Sequence, residues 1–114
     1  MDKEKAAKKF VKLLEIVEIL RGPDGCPWDK EQTHESLLPY FIEEAYEVME
    51  SVDDEDWKTF QEELGDILLH VVLQAQIAKE DKKFSIVDSL DTVNEKLVRR
   101  HPQVFGDKQA SASF

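Results

Sequence analysis

Cys26 is the only cysteine in the chain, so no internal disulfide can form and a reducing compartment, the cytoplasm, is the expected setting. Long apolar runs are missing as well, and none reaches the length of a membrane span. The charged start Met1-Asp2-Lys3-Glu4-Lys5 leads into an amphipathic pattern that does not look like a secretory signal. Positive charge is scarce: 15 Lys and Arg face 25 Asp and Glu, a net charge of −10. That balance disfavours non-specific binding to nucleic acid or to an anionic membrane. It leaves phosphorylated ligands open, because a bound cation reverses the local field. Strand patterns, internal repeats and low-complexity linkers are also lacking, and 114 residues suffice for a single apolar core.

What remains reads almost entirely as helix. Phe10, Leu13, Leu14, Val17 and Leu20 recur at three- and four-residue intervals over about 3–21, the spacing of one buried stripe. Gly22-Pro23-Asp24-Gly25 ends that helix, and Cys26 to Lys30 reads as an irregular loop. A second helix covers about 33–52, where Pro39 must kink it, break it or open a fresh helix. A third, about 55–81, carries a main stripe of Trp57, Phe60, Leu64, Ile67, Leu68, Val71, Val72 and Ala75. It also has a second apolar set, Leu69, Leu73 and Ile77. A helix apolar on two sides is buried on two sides, which favours a homodimer. The fourth opens with Ser85 and Asp88 at capping-box spacing and ends at Arg99-Arg100-His101 before Pro102. The expected fold is all-α: four main helices, a bundle completed by homodimerisation, and a central hairpin. The domain spans 1–108, with 109–114 a disordered tail.

Two carboxylate pairs set the chemistry. Glu44 with Glu47, and Glu63 with Asp66, are each spaced by three and so share one side of a helix. A turn centred near position 55, in the polar stretch from Ser51 to Glu55, brings Glu44 level with Asp66 and Glu47 level with Glu63. Four carboxylates at one height repel in a partly dry groove, and a hard divalent cation such as Mg²⁺ removes that cost. The bland account is a solvated acidic face in an acid-rich chain. Against it, the acids flank the apolar stripe, and no Lys or Arg stands four residues on from any of them. Gly65, in mid-helix, suggests that something approaches the backbone closely there.

The pattern Glu44-x-x-Glu47, fifteen intervening residues, then Glu63-x-x-Asp66 resembles the signature of the all-α nucleoside triphosphate pyrophosphohydrolases, and within them the MazG family. The segments Gly25–Thr33, Glu43–Glu47, Glu63–Asp66 and Lys96–Phe105 carry the resemblance in the family's order. It implies hydrolysis of a nucleoside triphosphate between its α- and β-phosphates. Glu44, Glu47, Glu63 and Asp66 would hold Mg²⁺, for which Mn²⁺ could substitute, and Glu43 would stand at the site edge. Glu44 and Glu47 are the first candidates for general base. Lys30, Lys96, Arg99 and Arg100 could reach the triphosphate, or could serve as solvated charge and helix-end compensation. Trp28 could stack on a base or plug the core beneath its loop. Cys26 reads as packing, and His70 as a supporting or packing residue ahead of His34 and His101.

The expected partners are the triphosphate and a second copy of the chain, in a dimer or a tetramer, with no nucleic acid and no membrane. Two other readings stand beside this one. The chain's end soon after Gly106-Asp107 fits an excised N-terminal domain serving dimerisation or regulation with weak catalysis. A plain helical bundle whose acids only confer solubility is the third.

Overall fold

Side-chain caps and left-handed turns set where each helix starts and stops. A computed structural model describes residues 2–110, with side chains as far as Gly106. The four long helices are α1 (Lys3–Leu20), α3 (His34–Asp53), α4 (Trp57–Glu80) and α5 (Ile86–Arg99). Two short ones join them, α2 (Pro27–Glu31) and α6 (Pro102–Ala110), so the described residues hold six helices, four of them long. Pro supplies the reason in both: its fixed φ suits a first helical position, and its missing N–H is no loss there. The segment from Cys26 to Lys30 is therefore largely helical. Gly106, at φ 80°, interrupts α6, and Gln109 and Ala110 belong to that helix. The remainder of the expected tail, 111–114, lies outside the described residues.

Pro39 neither ends nor restarts α3, which runs unbroken through it from a capping box. In that box Thr33 Oγ1 accepts from the Ser36 N–H at 3.1 Å, while Ser36 Oγ accepts from the Thr33 N–H at 2.8 Å. The α3–α4 turn is a Schellman motif: the Asp56 N–H reaches the Ser51 carbonyl at 2.9 Å and the Glu55 N–H reaches that of Val52 at 3.1 Å. Glu55 takes the left-handed position, φ 52°. The Asp56 side chain then caps α4 through the Thr59 N–H. Lys82, φ 57°, ends α4 in the same way, with Lys83 N–H to the Ala78 carbonyl at 2.9 Å.

The α3–α4 hairpin is the most extensive packing in the molecule, and α1 lies along α4. Val17, Leu37, Val72, Leu73 and Ile77 form the core, with Phe10, Leu13, Leu14 and Leu69 against it. Burying each of the five contributes roughly 2 kcal/mol before chain entropy is counted. Both apolar sets of α4 thus feed the core, Val72 and Ala75 from the main stripe and Leu73 and Ile77 from the second. Along the stripe expected to dominate, Leu64, Leu68 and Val71 stay 41–47% exposed. The reason is the side of α4 they occupy: α1 packs over Leu69, Val72, Leu73 and Ile77, while Val71, level with buried Val72, faces away. Helix α5 touches α4 lightly and packs mainly on α6. None of the described helices is long and apolar enough to cross a membrane.

Arg21 locks the end of α1 to the rest. Its guanidinium donates to both Glu80 carboxylate oxygens at 2.9 Å and to the carbonyls of Asp29 at 2.5 Å and Gln32 at 3.1 Å. One side chain thereby ties α1, α2, the connection to α3 and the end of α4. Close by, Gly25 lets the chain double back. A Cβ there would stand 2.1 Å from the Leu20 carbonyl oxygen, which accepts the Cys26 N–H.

Candidate metal and active site

The open half of the hairpin carries all four predicted carboxylates, two from each helix. Glu44, Glu63 and Asp66 each offer an oxygen within 4.8 Å of the others. That separation matches the span between opposite ligands of one hard cation, about 4–5 Å. Glu44 Oε2 and Glu63 Oε2 are sealed from water, and neither has a hydrogen-bond donor. A buried carboxylate oxygen without a donor is costly, and a cation would satisfy both.

Glu47 falls outside the three-oxygen cluster but belongs to the same electrostatic unit. Its carboxyl lies within hydrogen-bonding reach of Glu63, which raises its pKa above the ordinary carboxylate range, helped by partial burial. Glu63 is raised in turn, first by contact with Glu44, then by burial and by the nearby charge of Asp66. The exposed Glu43 adds to the repulsion at Glu47. Among the described residues no cation offsets these shifts. Acids this crowded can hold protons, share a metal ion or grip a water; they cannot all remain bare and charged without strain.

The other predicted residues stand apart from this cluster. Lys30 donates to the Pro23 carbonyl at 3.0 Å. Arg99 pairs with Glu95 at 3.3 Å on its own helix, and Lys96 borders a groove with Phe84 and Asp88. Among the described residues no ion pair joins Lys96, Arg99 or Arg100 to the four acids. Trp28 does not plug the core: it is half exposed, and its ring meets Tyr40 edge-on with centroids 6.0 Å apart. Tyr40 lies one turn before Glu44, so this aromatic pair borders the acidic groove. Outside its own helical turn, no described residue comes within 4 Å of a Cβ built on Gly65, which instead faces open space. His34 Nδ1 pairs with Gln74 Oε1, and Gln74 Nε2 donates back to the His34 carbonyl at 3.1 Å, which fixes α3 to α4 below the site.

Sequence spacing did not reveal Arg21, Glu80 or Tyr40. The ion pair joins residues 59 positions apart, and no local pattern announces it. For Tyr40 a signal existed: i, i+4 spacing to Glu44 puts it on the same helical side.

A model of the MazG nucleotide pyrophosphohydrolase domain matches residues 32–105. The nucleoside triphosphate pyrophosphohydrolase/pyrophosphatase MazG of Thermotoga maritima is 57% identical over 98 residues, 86% of this chain and 38% of that protein. The nucleoside triphosphate pyrophosphohydrolase of Escherichia coli K12 is 47% identical over 103 residues, 90% of this chain and 39% of that protein. The chain thus spans about two fifths of the length of these relatives. A crystal structure of a mazG-related protein from Thermotoga maritima superposes with a TM-score of 0.71 at 35% identity, covering 82% of this chain and 81% of that one. The chain belongs to the MazG nucleotide pyrophosphohydrolase domain family.

Proposed function

We propose that the chain hydrolyses nucleoside triphosphates between the α- and β-phosphates, releasing the monophosphate and pyrophosphate with Mg²⁺ as cofactor. The convergence of sealed, unpartnered Glu44 and Glu63 oxygens with Asp66 carries this reading. Hard oxygen donors with no nitrogen or sulfur suit Mg²⁺ or Mn²⁺. Glu44, Glu63 and Asp66 would hold the ion with Glu47 beside them. The ion supplies charge neutralisation for the phosphate oxygens and for the charge developing on them. Glu47, adjoining the cluster and drawn towards the proton-binding side, is placed to orient the attacking water and take its proton, with Glu44 the second candidate. Glu43 and Trp28 border the groove. Lys30, Lys96, Arg99 and Arg100 are the cations available to the triphosphate.

A homodimer, or a tetramer built from two, belongs to the same proposal. Phe41, Ile42 and Met49 of α3 and Leu64, Leu68 and Val71 of α4 all stand exposed, apolar surface that a second copy would cover. The radius of gyration, 16.7 Å, also exceeds the about 13 Å of a compact chain this long. A single unpaired cysteine suits the reducing cytoplasm.

Pyrophosphate release from a panel of standard and modified triphosphates with Mg²⁺, wild type against Glu47→Gln, tests the proposal. Loss of about 10²–10⁴-fold in the variant is the expected result. Equal, negligible release by both proteins would instead favour a dimerisation or regulatory domain.

A further inference from the structure

Away from the acidic groove, the outward side of α1 carries a second ordered pattern of charge. Lys5, Lys8, Lys12, Glu15 and Ile19 follow one another at steps of three, four, three and four residues. That is the spacing of a seam along which one helix meets another. Phe10, Leu13, Leu14 and Val17, which pack α1 into the core, lie on the opposite side of the helix. All five seam residues are exposed, Ile19 to 68%, and Val11 and Ile16 on the two flanks are exposed as well. Among the described residues, neither these three lysines nor Glu15 takes part in an ion pair. The basic stripe is also out of character with an acidic chain: Lys3, Lys5, Lys8, Lys9 and Lys12 supply five of its 15 basic residues.

The seam complements itself when two copies run antiparallel. With a two-fold axis level with the Leu13–Leu14 peptide, Lys12 of each copy faces Glu15 of the other, and Lys8 faces Ile19. Every contact is then made twice, as an isologous interface requires. Two ion pairs form at the centre, and each Ile19 lies along the alkyl stem of the opposite Lys8. A parallel pairing would instead set lysine on lysine and glutamate on glutamate. Nucleic acid or an anionic membrane would engage the lysines but be repelled by Glu15 and by the net charge of −10.

We propose that α1 pairs antiparallel with α1 of a second copy, in a contact separate from the open α3–α4 face. The seam points away from α4, so this pairing leaves that face free and joins two dimers into a tetramer where it is already covered. It needs neither a bound metal nor triphosphate hydrolysis, and it does not rest on that reading. One helix pair of this length buries less than the about 800 Å² per partner of a stable interface, so the association is weak and sensitive to salt.

Analytical ultracentrifugation from micromolar to millimolar protein tests it. The wild type should show a concentration-dependent doubling of mass at low salt. That step should vanish at about 1 M salt, where charges are screened beyond about 3 Å. Lys12→Glu and Glu15→Lys should each weaken the doubling by about tenfold or more. An equimolar mixture of the two variants should recover it, and so should the double variant Lys12→Glu/Glu15→Lys, because each restores opposite charges across the axis. Thermal melts by circular dichroism should be unchanged at these exposed positions. Recovery on mixing is a readout that neither a loss of fold nor association through the α3–α4 face would give. Wild type without the doubling, single variants that associate like wild type, or a mixture that stays apart overturns the proposal. Mass unchanged throughout, with Lys12-dependent binding to phosphatidylglycerol vesicles, would overturn it in favour of a membrane surface.

Discussion

Replacing Arg21 by Met should destabilise the fold by about 3 kcal/mol, a large share of a small domain's stability. The magnitude follows from four hydrogen bonds. Two run in parallel to Glu80, whose side chain is 37% exposed, so solvent screening reduces the pair to about 1 kcal/mol. The other two satisfy the carbonyls of Asp29 and Gln32 from a side chain that is itself 7% exposed, at about 1 kcal/mol each. Met keeps the apolar stem but strands the carbonyls. The Glu80 part has a pH signature. Its carboxyl is held below 4.5, foremost by the Arg21 hydrogen bonds, so the contribution is present above the unfolded-state pKa and fades as pH falls through the folded value. Urea unfolding of both proteins at about pH 7 and about pH 3.5 measures it, through the midpoint at constant m-value. The wild-type advantage should shrink at the lower pH without vanishing, because the carbonyl bonds do not titrate. A difference under about 0.5 kcal/mol at neutral pH would refute the role assigned to Arg21.

Two further outcomes follow from the geometry. Lys82→Gly relieves a left-handed residue at the end of α4 and should raise stability by about 0.5–1 kcal/mol after backbone entropy is deducted, read as a higher melting temperature. Glu47 and Glu63 are raised by neighbouring carboxylates, so the metal-free fold should gain stability as pH falls through those raised values. Protons and metal then compete, and thermal stabilisation by Mg²⁺ should be greater at about pH 8 than at about pH 5; a larger shift at the acid end would contradict the coupling.

The helices and the height match of the acids were legible because both are local. Spacing of three places two carboxylates on one side of a helix, and the turn at Asp54, Glu55 and Asp56 folds α3 onto α4 at the register that brings Glu44 to Asp66. The short helices were misread because one or two turns leave no periodicity, and only Pro27 and Pro102 mark them. Which part of each stripe of α4 becomes core depends on where α1 lies, and periodicity cannot give that: Val72, Leu73, Ala75 and Ile77 are buried while Leu64, Leu68 and Val71 stay exposed. The burial of His70 likewise depends on Phe41, contributed by the other helix of the hairpin.

Paramagnetic broadening by Mn²⁺ in an amide-resolved NMR spectrum tests the metal site most directly. At substoichiometric Mn²⁺, signals around Glu44, Glu47, Glu63 and Asp66 should disappear first, and Glu63→Gln should abolish the effect. Broadening spread evenly over the acidic surface, unchanged in that variant, would contradict the account.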